Sequence, residues 1–322
     1  MGKQHWTTFL ADLVLDLVEH MTLKTVADFL HMSWDVVKDI HLLALRRRLK
    51  SGVRKIRAIT TLAIDESAPG KYHKSLTIVR DLETGEVVWV GQGRGKDASR
   101  LFYAFFRDHG ITPAAVAMDM WAPYIETTME YFPDTDIVLD HYHVIALANR
   151  TLDEIRRLTV RSLVGEQARI VKGTRWILLK GGERIQNNQR ARQRLEALAQ
   201  ANQPLYTAYL LKEELRALWT SCQTYEAAEQ YLANWIRKAW ASTIQPLVRL
   251  ANTIAAHRTA ILNAFRHPIS TGPLEGTNNK IKTLKRQAYG YRDWEYFKLR
   301  ILFIHEARYQ LVGSTFFKRL QW

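Results

Sequence analysis

Three acidic residues, Asp65, Asp119 and Glu275, stand where the chain could gather them for chemistry. Asp65 follows the apolar run Ile59-Thr-Thr-Leu-Ala-Ile64, and Asp119 follows Ala114-Ala-Val-Ala-Met118. Both runs read as buried strands. If those strands are neighbours in one sheet, the two carboxylates emerge side by side at its edge. Glu275 lies at the start of a stretch that reads as a helix, with Pro273 in its first turn. An acid at a strand end often does no more than cap a loop. Three brought to one place repel unless cations hold them, and Mg2+ prefers oxygen ligands in octahedral geometry. Two such ions, roughly 3.5–4 Å apart, can activate an attacking water or 3′-hydroxyl and stabilise the leaving oxygen.

The helix after Glu275 adds cations to that acid. At 3.6 residues per turn, Glu275, Asn278 or Asn279, Lys282 and Arg286 share one face, with Ile281, Leu284 and Ala288 on another. A carboxylate above amides and a ladder of cations suits a metal-dependent reaction on a polyanion. A solvated helix with an acid near its N-terminus has the same pattern. Asn278, Asn279, Lys282, Lys285, Arg286 and Arg292 are the candidate DNA contacts here. Arg94 and Lys96 are two more, in Gly93-Arg-Gly-Lys-Asp97. The segment Gly91 to Lys96 is one residue short of a phosphate-binding loop, and Asp97 stands where Ser or Thr is needed. A nucleoside triphosphate site is excluded there.

Composition narrows the partner. The chain has 322 residues with 46 Lys and Arg against 32 Asp and Glu, a net charge of +14. That excess favours a nucleic-acid partner, with an anionic membrane surface as the lesser alternative. The single cysteine, Cys222, excludes a disulfide framework and any multi-cysteine zinc site, and its helical, apolar context makes it structural. His5, His20 and His41 have no partners at zinc-ligand spacing. The N-terminus lacks a signal-peptide pattern and no apolar run is long enough to span a membrane. A reducing cytoplasm fits this cysteine usage.

Four segments would position these residues. Residues 1–57 form a helical unit: an amphipathic helix over 6–20, then helix, tight turn and helix over 22–40, with Ser33 able to cap the last. This resembles a DNA-binding helix-turn-helix, although an ordinary helical hairpin has the same pattern. Arg46, Arg47 and Arg48, with Lys50, Arg54, Lys55 and Arg57, then read as a basic linker between two DNA-contacting units, the three arginines being further candidate DNA contacts. Residues 58–143 follow the order βββαβαβ. Strands at 59–64, 75–79 and 86–90 form an antiparallel meander, with further strands at 114–118 and 136–139. An α/β core of this order, with acids at strand ends, is RNase H-like. Residues 144–268 read as an all-helical insertion. Residues 269–322 return to the core with the helix of Glu275 and an aromatic-rich last helix.

Several stretches carry a family resemblance: Ala63-Ile-Asp-Glu66, Gly93-Arg-Gly-Lys-Asp97, Ala117-Met-Asp-Met120, Asp140-His-Tyr-His143, Leu274-Glu-Gly-Thr-Asn-Asn-Lys-Ile-Lys282 and Tyr289-Gly-Tyr-Arg292. Together they resemble the ISL3-family transposases, DDE enzymes of bacterial insertion sequences. The resemblance spans almost the whole chain, and the C-terminal motif is its most specific part. It implies that Asp65, Asp119 and Glu275 are a catalytic triad holding Mg2+ or Mn2+, as two ions. It implies cleavage of double-stranded DNA at terminal inverted repeats and strand transfer into target DNA, by at least a homodimer assembled on two DNA ends, in the bacterial cytoplasm at the nucleoid. Asp140 and His143 resemble an acid-x-x-His signature of several DDE groups. They are candidates to support the metal site or meet the DNA backbone, against a local cap and a core histidine. Family members usually carry a cysteine-rich zinc ribbon before the helix-turn-helix. This chain starts after that place, so a truncated copy is expected. Two other functions share these features: an idle or repurposed DNA-binding protein, and an RNase H-like nuclease.

Overall fold

The computed structural model describes residues 6–50, 59–67 and 75–305. They divide into two compact units, the first drawn from 1–116, 121–135 and 271–322, the second from 117–120 and 136–270. Among the described residues no helix is long and apolar enough to cross a membrane.

The first unit opens with α1 (Thr8–Val18), α2 (Leu23–Phe29) and α3 (Trp34–Lys50). Thr7 Oγ1 accepts from the Leu10 N–H and Thr22 Oγ1 from the Thr25 N–H, both at 3.2 Å. Each satisfies a donor that the helix start leaves open. After α2 the chain turns through His31, at φ 54°, and Ser33 Oγ then accepts from the Asp35 N–H at 3.2 Å. Val14, Val18, Leu23, Val26, Ala27, Val37 and Ile40 are buried, which is the face set by the three-and-four spacing.

The basic linker is corrected in part. Arg46, Arg47, Arg48 and Lys50 are the last turns of α3. Leu42 and Leu45 continue its buried stripe, and cations are favoured at a helix C-terminus. Arg54, Lys55 and Arg57 lie outside the described residues.

The last helix among the described residues, α16 (Trp294–Leu302), packs on α3. Lys38 Nζ is 2.7 Å from Asp293 Oδ2, and Arg46 grips Glu295 through two N–H groups at 2.8 and 2.6 Å. His41 Nδ1 lies 2.9 Å from Tyr296 Oη. Burial, with the charges of Arg300 and Arg48, pushes the His41 pKa from 6.5 down to about 3. The folded ring therefore stays neutral where the unfolded one takes a proton. Its contribution to stability is complete above pH 6.5 and drains as pH falls from there toward 3, at up to about 1.4 kcal/mol per pH unit. Thermal melts between pH 7 and 5 should show a steeper fall for the native chain than for His41→Gln. Parallel curves would remove this role.

An antiparallel meander is the centre of the first unit. β1 (Thr61–Ser67), β2 (Leu76–Asp81) and β3 (Val87–Gln92) form the antiparallel meander. The strand order is β3-β2-β1-β4-β5, with β4 at Ala115–Met118 and β5 at Asp136–Leu139. β1 runs further than its apolar run. Asp65 and Glu66 are inside it, opposite Ile78 and Thr77, because pairing with β2 carries the strand on to Ser67. The β2–β3 turn is closed by Asp81, whose carboxylate accepts from the Glu83 N–H at 2.9 Å and the Thr84 hydroxyl at 2.6 Å. Gly85 takes the left-handed φ of 77° that the turn requires. α4 (Lys96–Asp108) buries Ala98, Phe102, Tyr103 and Phe106, and α5 (Ala122–Tyr131) packs beside it.

The second unit is helical beyond its strands. It contains α6 (His141–Ser162), α7 (Gly165–Lys172), α8 (Arg175–Leu178), α9 (Gly182–Gln186), α10 (Gln189–Ala201), α11 (Gln203–Ser221), α12 (Tyr225–Ala241), α13 (Gln245–Ala256) and α14 (Arg258–Leu262). α11 packs against α6 and α12. Leu152, Leu205, Leu215, Leu218, Leu232 and Trp235 fill the interior. Trp235 satisfies its indole N–H on Leu211 O at 2.7 Å, as a buried Trp must. Cys222 is buried at the end of α11.

Candidate active site

In the first unit, Asp65 is held on both oxygens. Oδ1 accepts from the Glu66 N–H at 2.6 Å and Oδ2 from Asn278 Nδ2 at 2.7 Å. Asn278 comes from α15 (Gly272–Gln287), the helix of Glu275. An ionised carboxylate only accepts, so the amide must present its NH2 group to it. Asn278 Oδ1 then faces away and is buried without a hydrogen-bond partner.

The start of α15 is fastened to the sheet. Arg80, on β2, donates to Pro273 O and to Thr277 Oγ1, the second at 3.3 Å. Pro273 occupies the first turn, and Glu275 follows it there, where a negative charge meets the positive end of the helix. Leu274, Thr277, Asn278, Ile281 and Leu284 are buried. Glu275, Asn279, Lys282 and Arg286 are exposed. The helix therefore turns Asn279 outward with the cations and Asn278 inward to Asp65. Ala288 lies past the helix end and is exposed, apart from Ile281 and Leu284.

The other predicted cations of this unit differ in what they meet. Arg94 is 3.3 Å from Glu66 Oε2, and its guanidinium lies 4.8 Å from the centre of the Trp121 ring. Lys96 pairs with Glu126 of α5. Arg46 is engaged by Glu295, Arg47 is exposed, and Arg48 lies 5.7 Å from the Phe303 ring. Lys285 is half-buried, and desolvation lowers its pKa. Arg292 is exposed. Sequence reasoning gave no role to Arg80, Glu66 or Trp121. The Trp121 indole N–H donates to Arg94 O at 3.1 Å. Its position two residues after Asp119 was the available signal.

In the second unit, Asp119 follows β4 directly. His143 Nε2 lies 2.8 Å from Asp119 Oδ1. That contact is close enough for an ion pair but lacks hydrogen-bond geometry, so Oδ1 is buried without a hydrogen-bond partner. The His143 side chain is 44% exposed, which makes it no core histidine. Asp140 is buried and caps α6, its Oδ1 accepting from the Tyr142 N–H at 2.8 Å. Its own N–H reaches Met118 O at 3.1 Å, joining the ends of β4 and β5.

The donors are of the kind a hard divalent cation takes: carboxylate oxygens, with one on Asp119 buried and free of hydrogen bonds. Among the described residues, no three His, Cys, Asp or Glu side chains stand together as a ligand set.

A family profile for ISL3-type DDE proteins, described as "Transposase", matches residues 62–301. The transposase for insertion sequence element IS1001 of Bordetella parapertussis is 36% identical over 304 residues, covering 92% of this chain and 73% of that protein. The transposase for insertion sequence element IS1557 of Mycobacterium tuberculosis, from two strains, is 32% identical over 255 residues, covering 72% of this chain and 56% of those proteins.

Proposed function

From the premise that the chain belongs to the ISL3 family of DDE transposases, we propose that it cuts DNA at insertion-sequence ends and transfers the strands, with divalent metal as cofactor. The observation that carries this is the 2.7 Å bond from Asn278 to Asp65. It joins the strand that bears the first acid to the helix that bears Glu275. All three acids also lie within the matched span of 62–301.

Asp65, Asp119 and Glu275 would hold Mg2+ or Mn2+. Bound there, the ions supply Lewis-acid activation of a water or 3′-hydroxyl and charge for the leaving oxygen. Asn278 orients the Asp65 carboxylate, and His143 stands beside Asp119. Lys282, Lys285, Arg286 and Arg292 take DNA phosphates, with Arg94 and Lys96 as further cations. The strand order β3-β2-β1-β4-β5, antiparallel in its first three strands, supports an RNase H-like core. The helix, turn and helix of α2 and α3 support DNA binding by the N-terminal helices. The protein works in the cytoplasm, as a dimer or larger assembly on DNA ends.

The test is Mg2+- or Mn2+-dependent nicking of a duplex carrying the element's terminal repeats. Metal-dependent nicks are the expected result. Tight binding with no nicks under any metal would replace the proposal with a non-catalytic DNA-binding protein. Duplex affinity should also fall steeply with salt. Four phosphate contacts give a slope of log K against log salt near −3.6, at about −0.9 per contact. An affinity that does not change with salt would count against the cationic face.

A further inference from the structure

Past the last turn of α15 the backbone makes a standard helix stop with an unusual residue in it. The Gly290 N–H donates to Lys285 O at 3.0 Å and the Tyr289 N–H to Arg286 O at 3.1 Å, the paired bonds of a Schellman motif. The left-handed position of that motif usually belongs to glycine. Here Tyr289 occupies it at φ 52°, and Gly290 follows at φ 112°. A β-carbon in this region costs roughly 1–2 kcal/mol. No packing offsets that cost, because Tyr289 is 101% exposed.

The surroundings make the exposure specific. Tyr291 is stacked on Phe297 at 4.5 Å. Asp293 caps α16 through the Tyr296 N–H at 3.0 Å and pairs with Lys38. The turn is thus anchored at both ends while one ring projects from it. Arg286, Gln287, Ala288 and Arg292 beside it are exposed, so the ring is set among polar and cationic groups, not in an apolar patch. Tyr289 lies two residues past the end of α15 at Gln287, which is about 18 Å along the helix from Glu275 at 1.5 Å per residue. Lys282 and Arg286 lie between them on the outer face.

We propose that Tyr289 is a base-stacking residue, its ring lying on an unpaired nucleobase of a DNA strand whose phosphates Lys282 and Arg286 hold. This rests on the DNA-binding reading given above. A phenol ring can cover the face of any base, and such stacking is worth about 1–3 kcal/mol per base. Bases inside a duplex have no free face, so the ligand is single-stranded DNA or a base unstacked at a DNA end.

The test compares two strands of equal length without metal, an oligothymidylate and an abasic strand with the same phosphates. The full chain should bind the thymidylate about 5–150-fold more tightly. Tyr289→Gly should lose most of that preference, and Tyr289→Phe should keep it. Tyr289→Gly also relieves the left-handed strain, so its Tm should rise as its preference falls. A merely structural tyrosine would not give this pairing of opposite signs. An undiminished preference in Tyr289→Gly overturns the proposal. Lys282→Ala with Arg286→Ala should weaken both strands alike. If that variant binds duplex and both strands like the native chain, the DNA-binding face itself is wrong.

Discussion

Asp119→Asn is expected to reduce metal-dependent cleavage by at least about 10³-fold while leaving DNA binding intact or tighter. The substitution keeps the size of the side chain and removes its charge. Metal ions lower a phosphoryl-transfer barrier by several kcal/mol, and each 1.36 kcal/mol is about tenfold in rate. Losing one anionic ligand forfeits enough of that to reach the stated factor. Binding moves the other way, because a negative charge near phosphate disappears. The buried Oδ1 beside His143, 2.8 Å away, makes Asp119 the acid whose loss is least easily replaced by solvent. Nicking and equilibrium binding should be measured on one preparation. Full cleavage by this variant would remove Asp119 from the catalytic assignment.

Asn278→Ala is the second large effect, a loss of about 10–100-fold in metal affinity, typical of removing a group that orients a metal ligand. The side chain touches no metal in this proposal and acts through Asp65 Oδ2 at 2.7 Å. Truncation also removes the buried, unpartnered Oδ1, an acceptor whose burial costs roughly 1–3 kcal/mol. The change in Tm should therefore be small. Free Mn2+ in equilibrium with the protein, followed by its electron paramagnetic resonance signal, reports affinity without activity. Native Mn2+ affinity in this variant would leave Asn278 as packing alone.

The strands were legible in the sequence because the sheet writes itself plainly. Ala115–Met118 and Asp136–Leu139 are short apolar runs bounded by polar residues, and burial of both faces demands that composition. Pro273 marked the start of α15 for an equally local reason, since it sits where an amide N–H has no partner in any case. The inward turn of Asn278 was not legible. Asn278 and Asn279 are chemically identical and adjacent, so the helical period cannot choose between them. The choice is made by Asp65 on the sheet and by Arg80, which fixes the rotation of the helix through Pro273 and Thr277. Arg46 to Arg48 were misread for a related reason. Three successive like charges read as a basic linker, whereas Leu42 and Leu45 bury the same helix and the distant Glu295 holds Arg46.

The contact of α3 with α16 bears on the order of events during synthesis. His41 and Tyr296 are 255 residues apart, and Asp65 and Asn278 are 213 apart. The helical unit, by contrast, is one nearly continuous stretch, residues 136–270, with only residues 117–120 added. Ribosomes add roughly 5–20 residues per second, and domains fold as units as they emerge. The helical unit can therefore condense while the nascent chain is still incomplete. The first unit must wait about 10–50 s at that pace between the appearance of α3 and that of α16. Until then the apolar faces of α1 to α3 lack their C-terminal partner, and Asp65 lacks its amide. A half-made chain thus leaves the Asp65 carboxylate without its Asn278 partner until α15 has been made.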